Sequence, residues 1–146
     1  MARKIPALLL SALWFVPAAS ISGPSTFEPV IGGALLCRDR IDPVYLKDYL
    51  IRFYQEPYKT EGEAHWFKPG RGKKLFGVML EDIFVSAEGS QYAFLGVVLA
   101  ESLSLARKTI LETEGIDFQP FSGETVLRSA LGSFLIEYDK TASFEF

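Results

Sequence analysis

"KKLFGVMLEDIFVSAEGSQYAFLGVVLAE", residues 73–101, is the stretch that decides the fold of this 146-residue chain. Lys73–Ser86 and Gln91–Glu101 are rich in Val, Ile, Leu and Phe, side chains that suit a pleated, half-buried surface. The quartet AEGS between them, Ala87–Ser90, has turn chemistry. Upstream, EAHWFKP (Glu63–Pro69) is a third, short and aromatic run, joined to the long one through GRGK (Gly70–Lys73). Three strand-like runs in a row, joined by short loops, predict an antiparallel meander.

Helical patterns flank that meander. Asp42 is placed to cap a helix that Pro43 opens, since the first helical position needs no N–H. Leu46, Tyr49, Leu50 and Phe53 then recur at three- and four-residue spacing, and Pro57 requires the helix to stop near Gln55 or Glu56. A second helix is expected over Ser102–Glu114, capped by Ser102 or Ser104, with Leu103, Ala106, Ile110 and Leu111 inward and Gly115 as its stop. Before the first helix, VIGGALLC (Val30–Cys37) reads as a short buried strand ending in a buried, inert Cys37. After the second, strands are expected in IDFQPF (Ile116–Phe121), GSFLIEY (Gly132–Tyr138) and ASFEF (Ala142–Phe146). The class is α+β: an antiparallel sheet with two helices, one leading strand, and an element order that suggests an αβββ tandem duplication.

The N-terminus addresses compartment. Arg3 and Lys4 precede an apolar run, Ile5–Ala19, that holds Pro6 and Pro17 and ends in small residues. That layout is a secretory signal peptide. It falls short of the roughly 20 apolar residues of a membrane-spanning helix. Cleavage is expected after Ser20, with Ser22 as the alternative. The expected organisation is thus residues 1–20 as signal peptide, 21–29 as flexible leader and 30–146 as one α+β domain, periplasmic or secreted, without a stable membrane span after processing.

Charge excludes one class of partner. The chain holds 15 Lys and Arg against 18 Asp and Glu. Without Arg3 and Lys4 the balance is 13 against 18, a net charge of −5. Such a chain gives no long-range attraction to phosphate backbones, so no nucleic acid is expected.

Candidate chemistry is sparse. His65 and Cys37 are the single histidine and single cysteine. One of each does not supply a triad or the three or four ligands a metal commonly takes. His65 is read as an ordinary strand residue, and no catalytic, metal or cofactor residue is assigned. KPGRGKK, Lys68–Lys74, concentrates Lys68, Arg71, Lys73 and Lys74 but lacks phosphate-loop spacing, so those four are candidate partner contacts on a solvated turn. Glu81 and Asp82 are adjacent in a strand and point to opposite faces, which argues against a catalytic pair. Ser133 has no G-x-S-x-G context.

The run GALLCRDRIDPVYLKDYLIRFYQEPYKTEGEAHWF, with LEDIFVS and FLGVVL after it, resembles a group of small exported proteobacterial proteins to which no activity is attached. The resemblance implies export, the fold, and a second cysteine in or just after the last strand to match Cys37. TASFEF contains none, so Cys37 stands as a candidate lost-disulfide cysteine. The functional expectation is a non-catalytic binding module that meets an envelope or extracellular protein. A carboxylate-based hydrolase and an envelope protein held by an uncleaved N-terminus are the alternatives.

Overall fold

The computed structural model describes residues Thr26–Glu137. The expected signal peptide, most of the leader and the ASFEF strand lie outside the described residues. The architecture is α+β, with helices packed on two antiparallel sheets.

Strand β4 (Val78–Ser86) organises the larger sheet. On one edge it pairs with β2 (Ala64–Phe67) and, end to end with it, the short β3 (Lys74–Leu75). Its other edge takes β5 (Leu95–Leu99), while β1 (Lys59–Glu61) lies outside β2. The expected single strand Lys73–Ser86 is therefore a hairpin. Phe76 (φ 54°) and Gly77 (φ 79°) both adopt the left-handed conformation that a two-residue turn needs, and the Leu75–Val78 pair closes it. Along β4 the buried apolar residues are Val78 and Leu80, then Ile83 and Val85, because a bulge between Leu80 and Asp82 shifts the register by one residue.

The two faces of this sheet carry separate apolar clusters. The core face holds Phe67, Leu75, Val78, Leu80, Ile83 and Val85, flanked by Leu95, Val97 and Leu99. The outer face holds a smaller group, Ala64, Trp66 and Val98, with Phe84 and Phe94 against it. One cross-strand row on that face runs Lys59, Trp66, Phe84, Gly96. The Trp66 and Phe84 rings are 4.7 Å apart, and the Lys59 ammonium sits 4.5 Å over Trp66. Phe84 lies across Gly96 so closely that a Cβ there would meet its ring at 2.1 Å.

Helix α2 (Pro43–Phe53) starts as its sequence predicts, the Asp42 carboxylate accepting the Tyr45 N–H at 3.1 Å. It buries Leu46, Tyr49 and Leu50, whereas Phe53, expected inward, is exposed at the last turn, its ring tilted against that of Tyr49 at 4.9 Å. Helix α3 (Leu103–Glu114) is capped by Ser102 and stopped by left-handed Gly115. Ala106 and Ile110 are buried and Leu103 is half-buried; Leu111, also expected inward, is exposed. The second sheet, β6 (Phe118–Ser122), β7 (Val126–Ser129) and β8 (Phe134–Ile136), sends Phe118, Leu127 and Leu135 into the common core.

Two expectations are corrected. Val30–Cys37 is not a strand: a π-helical turn, Glu28–Gly32, runs into helix α1, Gly33–Leu35. The apolar period explains it. Phe27, Ile31 and Ala34 are buried at i, i+4 and i+7, a helical spacing that disappears when the element is started at Val30. Pro29, at the head of a helix, costs no hydrogen bond. The last residues of the expected leader are therefore helical, with Phe27 in the core. The αβββ repeat also fails, since five strands follow α2 and three follow α3 among the described residues.

The Gly96 contact yields a test. Gly96→Ala should lower stability by about 1–3 kcal/mol through overpacking against Phe84. Urea unfolding should show the midpoint fall, and Phe84→Leu in the same chain should recover part of the loss. An unchanged midpoint in Gly96→Ala would show that the ring moves aside freely.

Candidate functional site

The chemistry-bearing residues gather where α2 meets the margin of the larger sheet. His65 stands in β2 on the core-facing row with Thr60 and Val85, and only 14% of its side chain is exposed. Its Nε2 lies 2.7 Å from Glu88 Oε2, and its Nδ1 2.9 Å from the Thr60 hydroxyl. A carboxylate only accepts, so Nε2 carries the proton and, in the neutral ring, Nδ1 accepts from Thr60. The other Glu88 oxygen accepts from the Lys47 ammonium, on α2. Four groups from α2, β1, β2 and the β4–β5 hairpin thus form one chain of hydrogen bonds.

That chain sets the charge of Glu88. The hydrogen bond from Lys47, then that from His65 and one from its own backbone, hold the carboxyl at about 2, well below the ordinary 4.5. Because its folded value is depressed, Glu88 adds stability above about 4.5, and that contribution is lost as pH falls toward about 2. The side chain is 58% exposed, so solvent screens the pairing and its energetic weight is small.

Beside the chain lies a cleft of about 210 Å³ between the start of α2 and the β4–β5 hairpin. Pro43, Val44, Ala87, Tyr92 and Ala93 supply its apolar wall, with Ser86, Glu88 and Ser90 at its polar margin. Val44 is 60% and Tyr92 67% exposed. The hairpin is fixed: Ser90 Oγ donates to Glu63, and the Ala87 N–H bonds the Glu63 carbonyl at 2.7 Å. An apolar side chain fits this cleft, and the neighbouring charged groups already satisfy one another.

A second, more open hollow of about 560 Å³ lies between α1, the end of α3 and the β3–β4 turn. Glu28, Arg38, Asp39 and Glu114 line it, and Arg38 Nη1 binds Glu114 Oε2 at 3.2 Å. Burial raises the Glu28 pKa, helped by the charge of Glu114 and a hydrogen bond to it and opposed by Lys73. Glu28 is exposed, so this hollow is not a buried pair of acids.

Cys37 precedes Arg38 of this hollow in the chain. It was expected buried; it is exposed, at φ 56°, just past the end of α1. The Cys37 N–H bonds the Ala34 carbonyl and that of Arg38 the Gly33 carbonyl, a helix-terminating pattern whose left-handed residue is commonly glycine. That backbone turns the thiol outward, away from the apolar run that suggested burial.

The four basic residues of Lys68–Lys74 are not one patch. Lys68 binds Asp82 Oδ1 at 2.7 Å, an oxygen that also accepts from the Tyr58 hydroxyl at 2.9 Å, and its ammonium lies 4.9 Å over the Tyr58 ring. Lys73 sits 4.4 Å over Phe27. Arg71 and Lys74 are exposed and lack ion-pair partners among the described residues. Asp82 thereby belongs to a surface clasp, apart from the Glu88 chain. Ser133 is buried, its hydroxyl 2.6 Å from that of Ser129 across a turn.

Sequence reading missed the place of His65 because its partners Thr60 and Glu88 lie 5 and 23 residues away on other elements, and Lys47, which completes the chain through Glu88, comes from a further one. A polar residue on the core face of an aromatic strand was the available signal. No group of three or more His, Cys, Asp or Glu able to hold a metal occurs among the described residues, and no described helix is long and apolar enough to cross a membrane. Comparison with protein-family models, curated proteins and solved structures finds no match.

Two tests follow from this geometry. Carboxyl carbon NMR should titrate Glu88 near pH 2 and, in Lys47→Met, closer to 4.5; identical curves would break the proposed link. A thiol reagent should label Cys37 in the folded protein as fast as in urea, and protection in the native state would contradict its outward placement.

Proposed function

We propose that this chain is an exported, non-catalytic binding module, acting in the periplasm or outside the cell, and that it meets an envelope or extracellular protein at the cleft between α2 and the β4–β5 hairpin. One observation carries the reading. Val44 and Tyr92, each more than half exposed, flank a concave apolar wall fixed by the hairpin's hydrogen bonds to Glu63. Exposed aromatic and aliphatic groups around a formed cleft are what a partner's apolar side chain buries on docking. Both oxygens of Glu88 are engaged by Lys47 and His65, so the nearest ionised group is bound to its own neighbours. Export rests on the basic-then-apolar layout of residues 1–20 and on the resemblance to small exported proteobacterial proteins.

The experiment is photo-crosslinking in the producing cells, with a benzophenone amino acid at Tyr92 and, as control, at Glu124, an exposed position on the β6–β7 turn. A discrete adduct from position 92, lost in Val44→Asp and recovered with the processed chain from the periplasm or medium, is the expected result. Equal, diffuse labelling from both positions would sink the cleft as a docking site, and recovery with an unprocessed N-terminus in the membrane would sink the soluble exported form.

A further inference from the structure

The two edges of the larger sheet are built differently. β1 exposes Lys59 and Glu61, which pair with each other at 2.7 Å, and charge along an edge discourages strand addition. The opposite edge is β5, and from Tyr92 to Ala100 there is no charged side chain. Its hydrogen-bonding phase follows from its two ends. Ser86 N–H bonds the Phe94 carbonyl at 3.0 Å and Ala100 N–H bonds the Met79 carbonyl at 2.9 Å, so the even-numbered residues turn their peptide groups toward β4. In an antiparallel ladder the alternate residues then face away. Leu95, Val97 and Leu99 therefore present three N–H and three C=O groups at the edge, with no hydrogen-bond partner among the described residues. Their side chains join the core cluster on one flank only and remain half-buried. Helix α1 approaches β5, and its Leu35 joins that same core cluster, on the core-facing flank.

We propose that β5 pairs antiparallel with β5 of a second copy, about a two-fold axis through Val97, joining the two larger sheets into one. The edge is self-complementary. With Val97 opposite Val97, Leu95 falls opposite Leu99, and all three outward N–H groups of each copy meet outward carbonyls of the other. An identical partner sets no charge opposite this uncharged edge, and the exposed flanks of Leu95, Val97 and Leu99 close on Leu99, Val97 and Leu95 of the second copy. On the outer face Gly96 falls opposite Val98, so no bulky pair obstructs the approach. This contact is separate from the cleft at Val44 and Tyr92 and does not depend on a partner docking there.

The test is sedimentation of the mature protein at roughly 10–500 μM, a range suited to a small interface. A monomer–dimer equilibrium is expected. Cys37→Ser with Ala100→Cys then places one nitroxide per copy at an exposed position three residues from the axis. At ~3.4 Å per residue the two backbones are about 20 Å apart, which spin-label distance measurement reads directly. A monomer at every concentration overturns the proposal, including the case in which residues 138–146 of the same chain cover the edge. A dimer whose labels lie beyond about 35 Å overturns it as well, since ten strand residues then separate them instead of six.

Discussion

The bulge in β4 is the constraint on which the rest of the fold depends. A strand has period two, so an unbroken Val78–Ser86 would put Val78 and Leu80 on one face and Ile83 and Val85 on the other. The irregularity between Leu80 and Asp82 moves the second pair onto the face of the first. All four are then buried against the helices, while Phe84 is released to the outer face to pack on Trp66 and Gly96. The sheet's two apolar clusters, and the alignment of β2, β3 and β5 along both edges of β4, share this one-residue shift. It also leaves Asp82 free to bind Lys68 and Tyr58 at the surface.

What could be read from sequence was what neighbours in the chain determine. Asp42 with Pro43, Ser102 with Gly115, and the three- and four-residue apolar spacings fix α2 and α3 locally, and both helices lie where those signals put them. The N-terminal helical segment was misread because its period is carried by Phe27, Ile31 and Ala34, and Phe27 sits among Ser, Thr and Pro residues that look like linker. The Phe76–Gly77 turn was missed because a phenylalanine in the left-handed region contradicts every local preference. Only its ring, packed on the bare backbone of Gly32, explains it. β7 was not expected from sequence because Val126 and Leu127 are short of apolar company until β6 and β8 flank them.

The same division holds for the candidate site. Lys47, Thr60, His65 and Glu88 carry no spacing that a sequence pattern could reveal, since four elements bring them together. The basic loop had the opposite fate. Its four charges form a cluster in the chain but are split in space, two of them spread over the rings of Tyr58 and Phe27. An ammonium over an aromatic face keeps its charge yet loses much of its freedom to meet a partner. Charge density along the chain was therefore a poor guide to how charge is arranged on the surface.

Phe76 and Gly32 hold a consequence for how the molecule comes apart. The left-handed backbone of Phe76 is unfavourable by itself, and its ring is buried where Gly32 leaves room, with a Cβ there falling 2.8 Å from it. The hairpin that starts β4 and the helical segment that starts the described chain therefore stabilise each other across some 44 residues of sequence. Neither has reason to persist alone. The helical segment is thereby tied to the central hairpin, and separating the two would expose Phe76 together with the apolar face of Phe27, Ile31 and Ala34.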